Sequence, residues 1–110
     1  MAWQIGNEPR AFSEKNKNTF LYWMSDVAAQ IKLLDPNHMV SSGSEGLQGC
    51  EKDIALFEKI HADSNIDYLN IHIWPYNWGW VKADSLKELL LEAKNKTKAY
   101  IDYNDSFSVL

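Results

Sequence analysis

The chain has 110 residues, of which 45% are hydrophobic and 24% charged, a composition that is ordinary for a globular domain and excludes a disordered or collagen-like chain. No stretch approaches the roughly 20 apolar residues that cross a bilayer, and the net charge of −4 has no basic cluster, so neither a membrane nor a nucleic acid is expected as a partner. The single cysteine, Cys50, excludes an internal disulfide.

The first half of the chain predicts a strand, a helix and a second strand. Residues 2–6 are short and apolar, as in a strand. A helix is predicted over residues 14–34, with Ser13 as N-cap and Pro36 as the stop signal. Spacings of three and four residues predict its buried face, which comprises Phe20, Trp23, Met24, Val27, Ile31 and Leu34. A second short strand is predicted over residues 38–42.

The second half predicts a helix, a third strand and a third helix. The helix over residues 52–61 would bury Ile54, Phe57 and Ile60. The strand over residues 66–73 leads into an aromatic loop. Ser85 and Glu88 form a capping box for a last helix that runs to about Tyr103. The buried stripe of that helix would comprise Leu86, Leu89, Leu90, Ala93, Thr97 and Tyr100.

Alternation of strands and helices indicates an α/β fold with parallel strands and helical crossovers. The predicted strands begin near residues 2, 38 and 66, so each unit is roughly 28 to 36 residues long. An eight-unit (β/α)8 TIM barrel of about 250 residues has units of roughly that length. A doubly wound sheet has the same alternation, but no glycine-rich phosphate loop follows any predicted strand.

Polar and aromatic residues follow each predicted strand. The first strand leads into Asn7, Glu8 and Arg10, and the second into the segment that holds Glu45. The third carries His72, and the aromatic loop after it contains Trp74, Tyr76, Trp78 and Trp80. In parallel βα folds, ligands bind beyond these strand ends. Indole rings that can stack on sugar faces, beside a carboxyl group that can protonate a glycosidic oxygen, indicate carbohydrate chemistry.

Each of these residues also has a plainer interpretation. Glu8 alone could be a solvated loop residue, His72 a core histidine, and the aromatic loop a cap on the core. His38 and His61 are interpreted as surface residues, and the three histidines have no spacing that predicts a metal site. Cys50 is interpreted as structural, although the start of a helix could lower a thiol pKa.

Three motifs in order resemble glycoside hydrolase family 5, in its endo-β-1,4-mannanase branch. The segment W-Q-I-G-N-E-P-R at residues 3–10 resembles the fourth strand of that family. L-D-P-N-H at residues 34–38, with V-S-S-G-S-E-G at residues 40–46, is similar to the fifth unit. H-I-W-P-Y-N-W-G at residues 72–79 resembles the sixth strand. The resemblance covers about residues 1–103 and rests on the order and spacing of all three motifs.

The resemblance implies that residues 1–110 are part of a (β/α)8 catalytic domain. The fragment would hold three βα units, in the order β-α-β-α-β-α, equivalent to units four to six of the barrel. Units one to three and the seventh strand would then be missing. Because the family nucleophile is a glutamate at the end of the seventh strand, no nucleophile is expected within this chain. The chain alone is therefore expected to be nearly inactive.

The first two strand ends carry the implied acid/base and leaving-group contacts. Glu8 matches the general acid/base, which protonates the leaving oxygen and then deprotonates the attacking water. Asn7 matches the residue that hydrogen-bonds the substrate 2-hydroxyl. Arg10 resembles a contact on the leaving-group side of the cleft, and Glu45 is expected on that same side as a substrate-binding residue.

The third strand end carries the remaining implied contacts. His72 matches a histidine that contacts the substrate close to the nucleophile. Trp74 stands where the family usually has a tyrosine, so a phenolic hydroxyl is absent from that position. Trp78 and Trp80 are candidates for sugar-stacking platforms or cleft walls. The resemblance implies no metal and no organic cofactor.

As the full enzyme, such a protein would hydrolyse β-1,4-mannosidic bonds in mannan-type polysaccharides or oligosaccharides with retention of configuration. A family 5 β-1,4-glucanase is the alternative enzyme, which Arg10 and the S-E-G segment disfavour. A non-catalytic glycan-binding or structural remnant is the alternative of a different class. Enzymes that act on large polymers are usually exported, so a secreted or periplasmic location is expected, although the chain carries no signal peptide.

Overall fold

The computed structural model of the chain describes residues 1–80 and 86–105. They fall into two units, Met1–His72 and Ile73–Leu110. The first unit contains the four elements β1 (Ala2–Gln4), α1 (Lys17–Leu34), β2 (Met39–Ser41) and α2 (Ile54–His61). Short 3-10 turns precede the two helices of this unit, at Glu14–Asn16 and Gly46–Gln48. The second unit contains α3 (Leu86–Asp105).

The strands β1 and β2 pair in parallel, as the alternation of elements predicts. Their alignment continues past the strand ends. The amide of Ile5 donates to the carbonyl of Ser41 at 3.0 Å, and the amide of Glu8 donates to the carbonyl of Gly43 at 3.0 Å. The two segments therefore run side by side up to the polar residues that follow each strand.

The helix α1 buries a narrower stripe than its periodicity predicts. Phe20, Met24 and Ala28, one residue per turn, are buried. Trp23 is 44% exposed and Leu34 is 83% exposed, so their predicted burial is wrong. Trp23 lies at the edge of the apolar face, and Leu34 is the last residue of the helix. Ser13 precedes the 3-10 turn, but its side chain makes no capping hydrogen bond.

The predicted third strand does not form as a regular strand. Residues 66–73 contain one parallel bridge to β2, between Ser41 and Tyr68. Elsewhere side chains replace the strand backbone as acceptors: the amide of Val40 donates to Asp67 Oδ2 at 2.6 Å, and the amide of Gly43 donates to Asn70 Oδ1 at 2.9 Å. The segment therefore runs beside β2, but the prediction of three complete strand–helix units is not confirmed.

The core of the first unit lies between the sheet and the two helices. The helix α2 begins after Asp53, whose carboxylate accepts from the amide of Leu56 at 3.2 Å as an N-cap. Phe57 and Ile60 are buried as predicted, and Ile54 is partly buried. They pack in one cluster with buried residues from the other elements, including Met24, Ala28, Val40, Cys50, Leu56 and Ile66.

The second unit consists of the aromatic segment and α3. Two backbone hydrogen bonds close turns in the aromatic segment. The amide of Trp78 donates to the carbonyl of Trp74 at 3.0 Å, and the amide of Trp80 donates to the carbonyl of Pro75 at 2.8 Å. In α3, Ala93 is buried as predicted, but Leu90 is 60% exposed and its predicted burial is wrong. Ser85, the first residue of the predicted capping box, lies outside the described residues. Among the helices within the described ranges, none has the length and apolarity that a membrane span needs.

Candidate functional site

The ends of β1 and β2 bring the polar residues of both segments together. Glu8 follows β1 and is anchored by the hydrogen bond from its amide to the carbonyl of Gly43. Gly43 follows β2 with φ +75°, a conformation that glycine adopts readily. A Cβ at this position would lie 1.8 Å from the carbonyl oxygen of Gly6. Only glycine therefore lets the two strand ends approach this closely.

Glu8 adopts an unusual backbone conformation for a residue with a side chain. Its φ is +53°, in the left-handed region. Strained backbone conformations of this kind are often found at functional sites. The carboxyl group is 20% exposed, and its Oε1 lies 3.0 Å from Nδ1 of His72. The structure thus brings together two of the predicted site residues that are 64 positions apart in the chain.

Arg10 and Glu45 form a two-pronged ion pair. The Nη2 atom of Arg10 lies 2.7 Å from Glu45 Oε1, and its Nε lies 2.6 Å from Oε2. The Glu45 side chain is 1% exposed, whereas that of Arg10 is 43% exposed. Hydrogen bonding to Glu45 raises the pKa of the Arg10 guanidinium, and the negative charges of Glu45 and Glu8 act in the same direction. The accessible part of the pair is therefore the guanidinium, and a direct ligand contact by Glu45 stays a prediction.

A groove of about 550 Å³ lies beside Arg10 and is predominantly apolar. Phe12 and Trp23 contribute exposed rings to it, at 79% and 44% exposure. The remaining lining residues are Pro9, Ala11, Asn16, Thr19 and Phe20. Glu8 is not among the lining residues, so this groove and the Glu8–His72 pair are distinct features.

A polar residue that the sequence did not single out, Asn70, stands next to the Glu8–His72 pair. Asn70 Nδ2 lies 3.5 Å from His72 Nε2. Ser42 Oγ lies 3.5 Å from Asn70 Oδ1 and 2.8 Å from His61 Nε2. The i, i+2 spacing of Asn70 and His72 places both on one face of an extended segment and could have revealed Asn70.

The interpretation of His61 as a surface residue is wrong. Its ring packs on Phe57 with centroids 4.2 Å apart. Its Nδ1–H donates to the carbonyl of Phe57 at 2.8 Å. Burial lowers the pKa of His61 below the ordinary value of 6.5. The ring is therefore neutral at pH 7, and its Nε2 accepts the hydroxyl proton of Ser42.

The predicted aromatic contacts lie in the second unit. Trp74 is 48% exposed. Trp78 and Trp80 are half-buried, with ring centroids 4.9 Å apart in an edge-on arrangement. Tyr100 of α3 packs against both of these rings, at 5.3 and 5.7 Å. Trp74 and the neighbouring Tyr76 are more exposed than Trp78, Trp80 and Tyr100.

Neither a metal site nor a reactive cysteine emerges from the described residues. Across residues 1–80 and 86–105, no three His, Cys, Asp or Glu side chains form a group that could hold a metal ion. Cys50 is buried, and burial raises its pKa to about 12. Cys50 is thus a protonated thiol in the core, as the structural interpretation predicts, because desolvation outweighs any effect of the nearby helix start.

Comparison with known families finds one match that covers nearly the whole chain. The family model described as GH family 5 beta-mannosidase-like matches residues 1–108. This match includes every residue that the sequence motifs single out.

Named relatives are similar over much of the chain. Mannan endo-1,4-beta-mannosidase 2 of Oryza sativa subsp. japonica is 26% identical over an alignment of 124 residues, which covers 96% of this chain and 27% of that protein. "Probable mannan endo-1,4-beta-mannosidase F" of Aspergillus flavus is 36% identical over 88 residues, covering 71% of this chain and 19% of that protein. The chain spans about a fifth to a quarter of the length of these curated relatives.

Proposed function

Because the chain belongs to the beta-mannosidase-like group of glycoside hydrolase family 5, we propose that it forms part of a catalytic domain that hydrolyses β-1,4-mannosidic bonds. The substrate would be a mannan-type polysaccharide or oligosaccharide, in keeping with the names of the relatives. The described strands and helices would be units four to six of a (β/α)8 barrel. No metal or organic cofactor is required in this proposal.

We base the proposal on the position of Glu8. Its carboxyl group stands at the end of a parallel strand, where active sites of βα folds lie. It is held by a strained backbone and contacts His72 at 3.0 Å. In the proposed role, Glu8 donates its proton to the glycosidic oxygen as the bond to the sugar breaks. The resulting carboxylate then removes a proton from the water that releases the sugar.

A retaining mechanism also needs a carboxylate nucleophile about 5–5.5 Å from the acid. At the described strand ends, the other carboxylate is Glu45, which is buried against Arg10. We therefore propose that the nucleophile belongs to a part of the catalytic domain outside these 110 residues. These residues by themselves are expected to hydrolyse little mannan.

The remaining predicted site residues would bind the substrate. Asn7, exposed beside Glu8, would hydrogen-bond the 2-hydroxyl of the sugar at the cleaved bond. The exposed guanidinium of Arg10 would contact the leaving-group side, held in place by Glu45. His72 would contact the sugar next to Glu8. Trp74, Trp78 and Trp80 would stack on sugar rings or form cleft walls.

The experiment that tests this function is Glu8→Gln in the protein at its natural length. Loss of a general acid should lower kcat on mannan by about 10²–10⁴-fold. An aryl β-mannoside whose leaving group needs no protonation should still release its aryl group, because the first step then bypasses Glu8. Glu14→Gln, at an exposed carboxylate of the 3-10 turn, is the matched control and should retain activity.

Undiminished hydrolysis of mannan by Glu8→Gln would overturn the assignment of the acid. Parallel assays of the unaltered protein on mannan and on carboxymethylcellulose decide the substrate. Faster hydrolysis of the cellulose derivative would replace the mannanase proposal with a β-1,4-glucanase. Binding of mannan without hydrolysis of either polymer would contradict an enzymatic function.

A further inference from the structure

Polar side chains stand in a row from the core to Glu8. His61 Nε2 accepts from Ser42 Oγ at 2.8 Å, and this hydroxyl lies 3.5 Å from Asn70 Oδ1. Asn70 Nδ2 lies 3.5 Å from His72 Nε2, and His72 Nδ1 lies 3.0 Å from Glu8 Oε1. The hydroxyl proton of Ser42 can rotate, and the protons of the histidine rings and of the Glu8 carboxyl group can each occupy either of two atoms. The side-chain amide of Asn70 has a fixed donor end and a fixed acceptor end. It therefore decides where the proton of its neighbour His72 lies.

The orientation of the Asn70 amide is set by the backbone. The amide N–H of Gly43 points at Asn70 and lies 2.9 Å from Oδ1. A backbone N–H can only donate, so the atom that faces it must be the carbonyl oxygen. The NH2 group of Asn70 is then the atom that faces His72. Gly43 itself is held by the close approach of its backbone to Gly6.

This orientation selects one tautomer of His72. Because the NH2 group of Asn70 can only donate, Nε2 of His72 must accept and carries no proton. The proton of the neutral ring is then on Nδ1, where it donates to Glu8 Oε1. We propose that Asn70 is a positioning residue that fixes the Nδ1–H tautomer of His72 and thereby keeps the acid proton of Glu8 on Oε2. This inference rests on the proposed function of Glu8 as the acid/base.

The tautomer of His72 determines which oxygen of Glu8 transfers the proton in catalysis. A carboxylic acid whose Oε1 accepts a hydrogen bond has Oε2 as the site of its transferable proton. Delivery to the glycosidic oxygen then occurs from one defined oxygen, and reprotonation by water returns the proton to that same oxygen. Pre-orientation of this kind removes a rearrangement from each turnover. Asn70 acts through His72 and need not touch the substrate.

The direct test is the tautomer of His72 in the unaltered protein. Histidine labelled with ¹⁵N in its ring distinguishes protonated from unprotonated nitrogens by chemical shift. The protein at its natural length is labelled, and the His72 signals are assigned by their loss in His72→Gln. At pH 7 we expect Nε2 in the range of an unprotonated nitrogen and Nδ1 in that of a protonated one. A protonated Nε2 in the unaltered protein would overturn the inference.

A second test exchanges the donor for an acceptor. In Asn70→Asp, one oxygen still accepts from Gly43, but the other faces His72 Nε2. The ring should then gain a second proton, and its Nε2 signal should move to the protonated range. A cation at 3.0 Å from Glu8 lowers the pKa of the acid by about one unit or more. The pH at which kcat/KM falls on the basic side of its profile should decrease by the same amount. At pH values above that point, kcat/KM should be approximately tenfold lower than in the unaltered protein.

The matched control is Asn18→Asp, the same change at an exposed position of α1. Its His72 signals and pH profile should equal those of the unaltered protein. An unchanged His72 spectrum in Asn70→Asp would contradict the inference. Failure of the proposed function would look different: Glu8→Gln would retain mannan hydrolysis while the His72 tautomer remained as expected.

Discussion

The pairing of Arg10 with Glu45 shows how a proposed binding residue can be held by a buried partner. Both oxygens of Glu45 face the guanidinium, and the Glu45 side chain is almost completely buried. Close contacts to both oxygens, one of them the hydrogen bond from Nη2 to Oε1, hold the plane of the guanidinium as well as its position. A planar, oriented guanidinium is better suited to contact a sugar hydroxyl than a freely rotating one. We therefore regard Glu45 as the support of Arg10.

Glu45→Gln should loosen this support and destabilise the fold. The substitution removes the buried negative charge that pairs with Arg10, and the cost is limited because Arg10 is 43% exposed and water can reach it. We expect the free energy of unfolding to fall by about 2 kcal/mol. Urea denaturation of the protein at its natural length measures this change. The exposed pair of Glu14 with Lys17 provides the control, since Glu14→Gln should change the free energy of unfolding only slightly. Equal losses of stability in the two variants would contradict the prediction.

Residue types and motif spacing predicted Glu8, Arg10 and His72 as candidate site residues, but not their supporting contacts. The strand-end rule places all three at one rim because parallel strands end together. The contacts of Arg10 with Glu45 and of Glu8 with His72 depend on approaches across 35 and 64 positions of the chain. No local pattern encodes such approaches. His61 was misinterpreted for the same reason, since its burial comes from tertiary packing.

At the scale of the elements, the edge of β2 is completed by side chains. The amide of Val40 donates to Asp67 Oδ2 at 2.6 Å, and the amide of Asp67 donates to the carbonyl of Val40 at 2.9 Å. Asp67 also pairs with Lys32 at 2.6 Å, and this contact, with that of Val40, lowers the pKa of Asp67. Asp67 thus links β2 to the helix α1. It stands where a regular third strand would offer a backbone carbonyl.

Removing this acceptor should expose the edge of β2. In Asp67→Ala, the amide of Val40 loses its partner at a position that is fully buried. We expect its hydrogen exchange to accelerate at least about tenfold, which corresponds to 1.4 kcal/mol of lost protection. Asp67→Asn retains an acceptor oxygen but loses the ion pair with Lys32, and should exchange nearly as slowly as the unaltered protein. Unchanged exchange in Asp67→Ala would show that another group satisfies Val40.

Periodicity predicted the helices more successfully than the third strand. The bounds of α1 and α2 agree with the predicted segments within three residues at each end. Helices follow from local spacing and caps, such as Asp53 before α2. A strand requires backbone partners, and the segment at residues 66–73 contains Asp67 and Asn70, whose side chains accept those hydrogen bonds instead. Side-chain competition of this kind is not visible in an apolar pattern.

At the scale of the whole molecule, family membership and local geometry support one another. The family model matches residues 1–108, and the strand-end residues of the motifs meet in the first unit as Glu8–His72 and Arg10–Glu45. The chain is about a fifth to a quarter as long as its curated relatives. Within such a chain, the contacts that support Glu8, the proposed acid, are already present, because they are formed by the segments that follow β1, β2 and α2.

The partly buried His61 should make the stability of the molecule depend on pH. Burial holds its pKa below 6.5, so the folded state keeps the ring neutral where the unfolded chain binds a proton. The contribution of neutral His61 is therefore complete above pH 6.5 and declines as the pH falls from 6.5 towards the lowered pKa of the folded state. The slope from this one group is at most about 1.4 kcal/mol per pH unit.

Urea unfolding midpoints between pH 8 and pH 5 measure this decline. His61→Gln removes the titrating ring and should flatten the curve in this interval, although it lowers stability at pH 8 by loss of the Ser42 and Phe57 hydrogen bonds. His38→Gln serves as the control, since His38 lies at the surface beside Asp35. A curve for His61→Gln that runs parallel to that of the unaltered protein would contradict the assignment of a buried, neutral ring. If the ring of His61 were not neutral, its Nε2 would carry a proton and could not accept from the hydroxyl of Ser42. This hydroxyl would then no longer be directed away from Asn70.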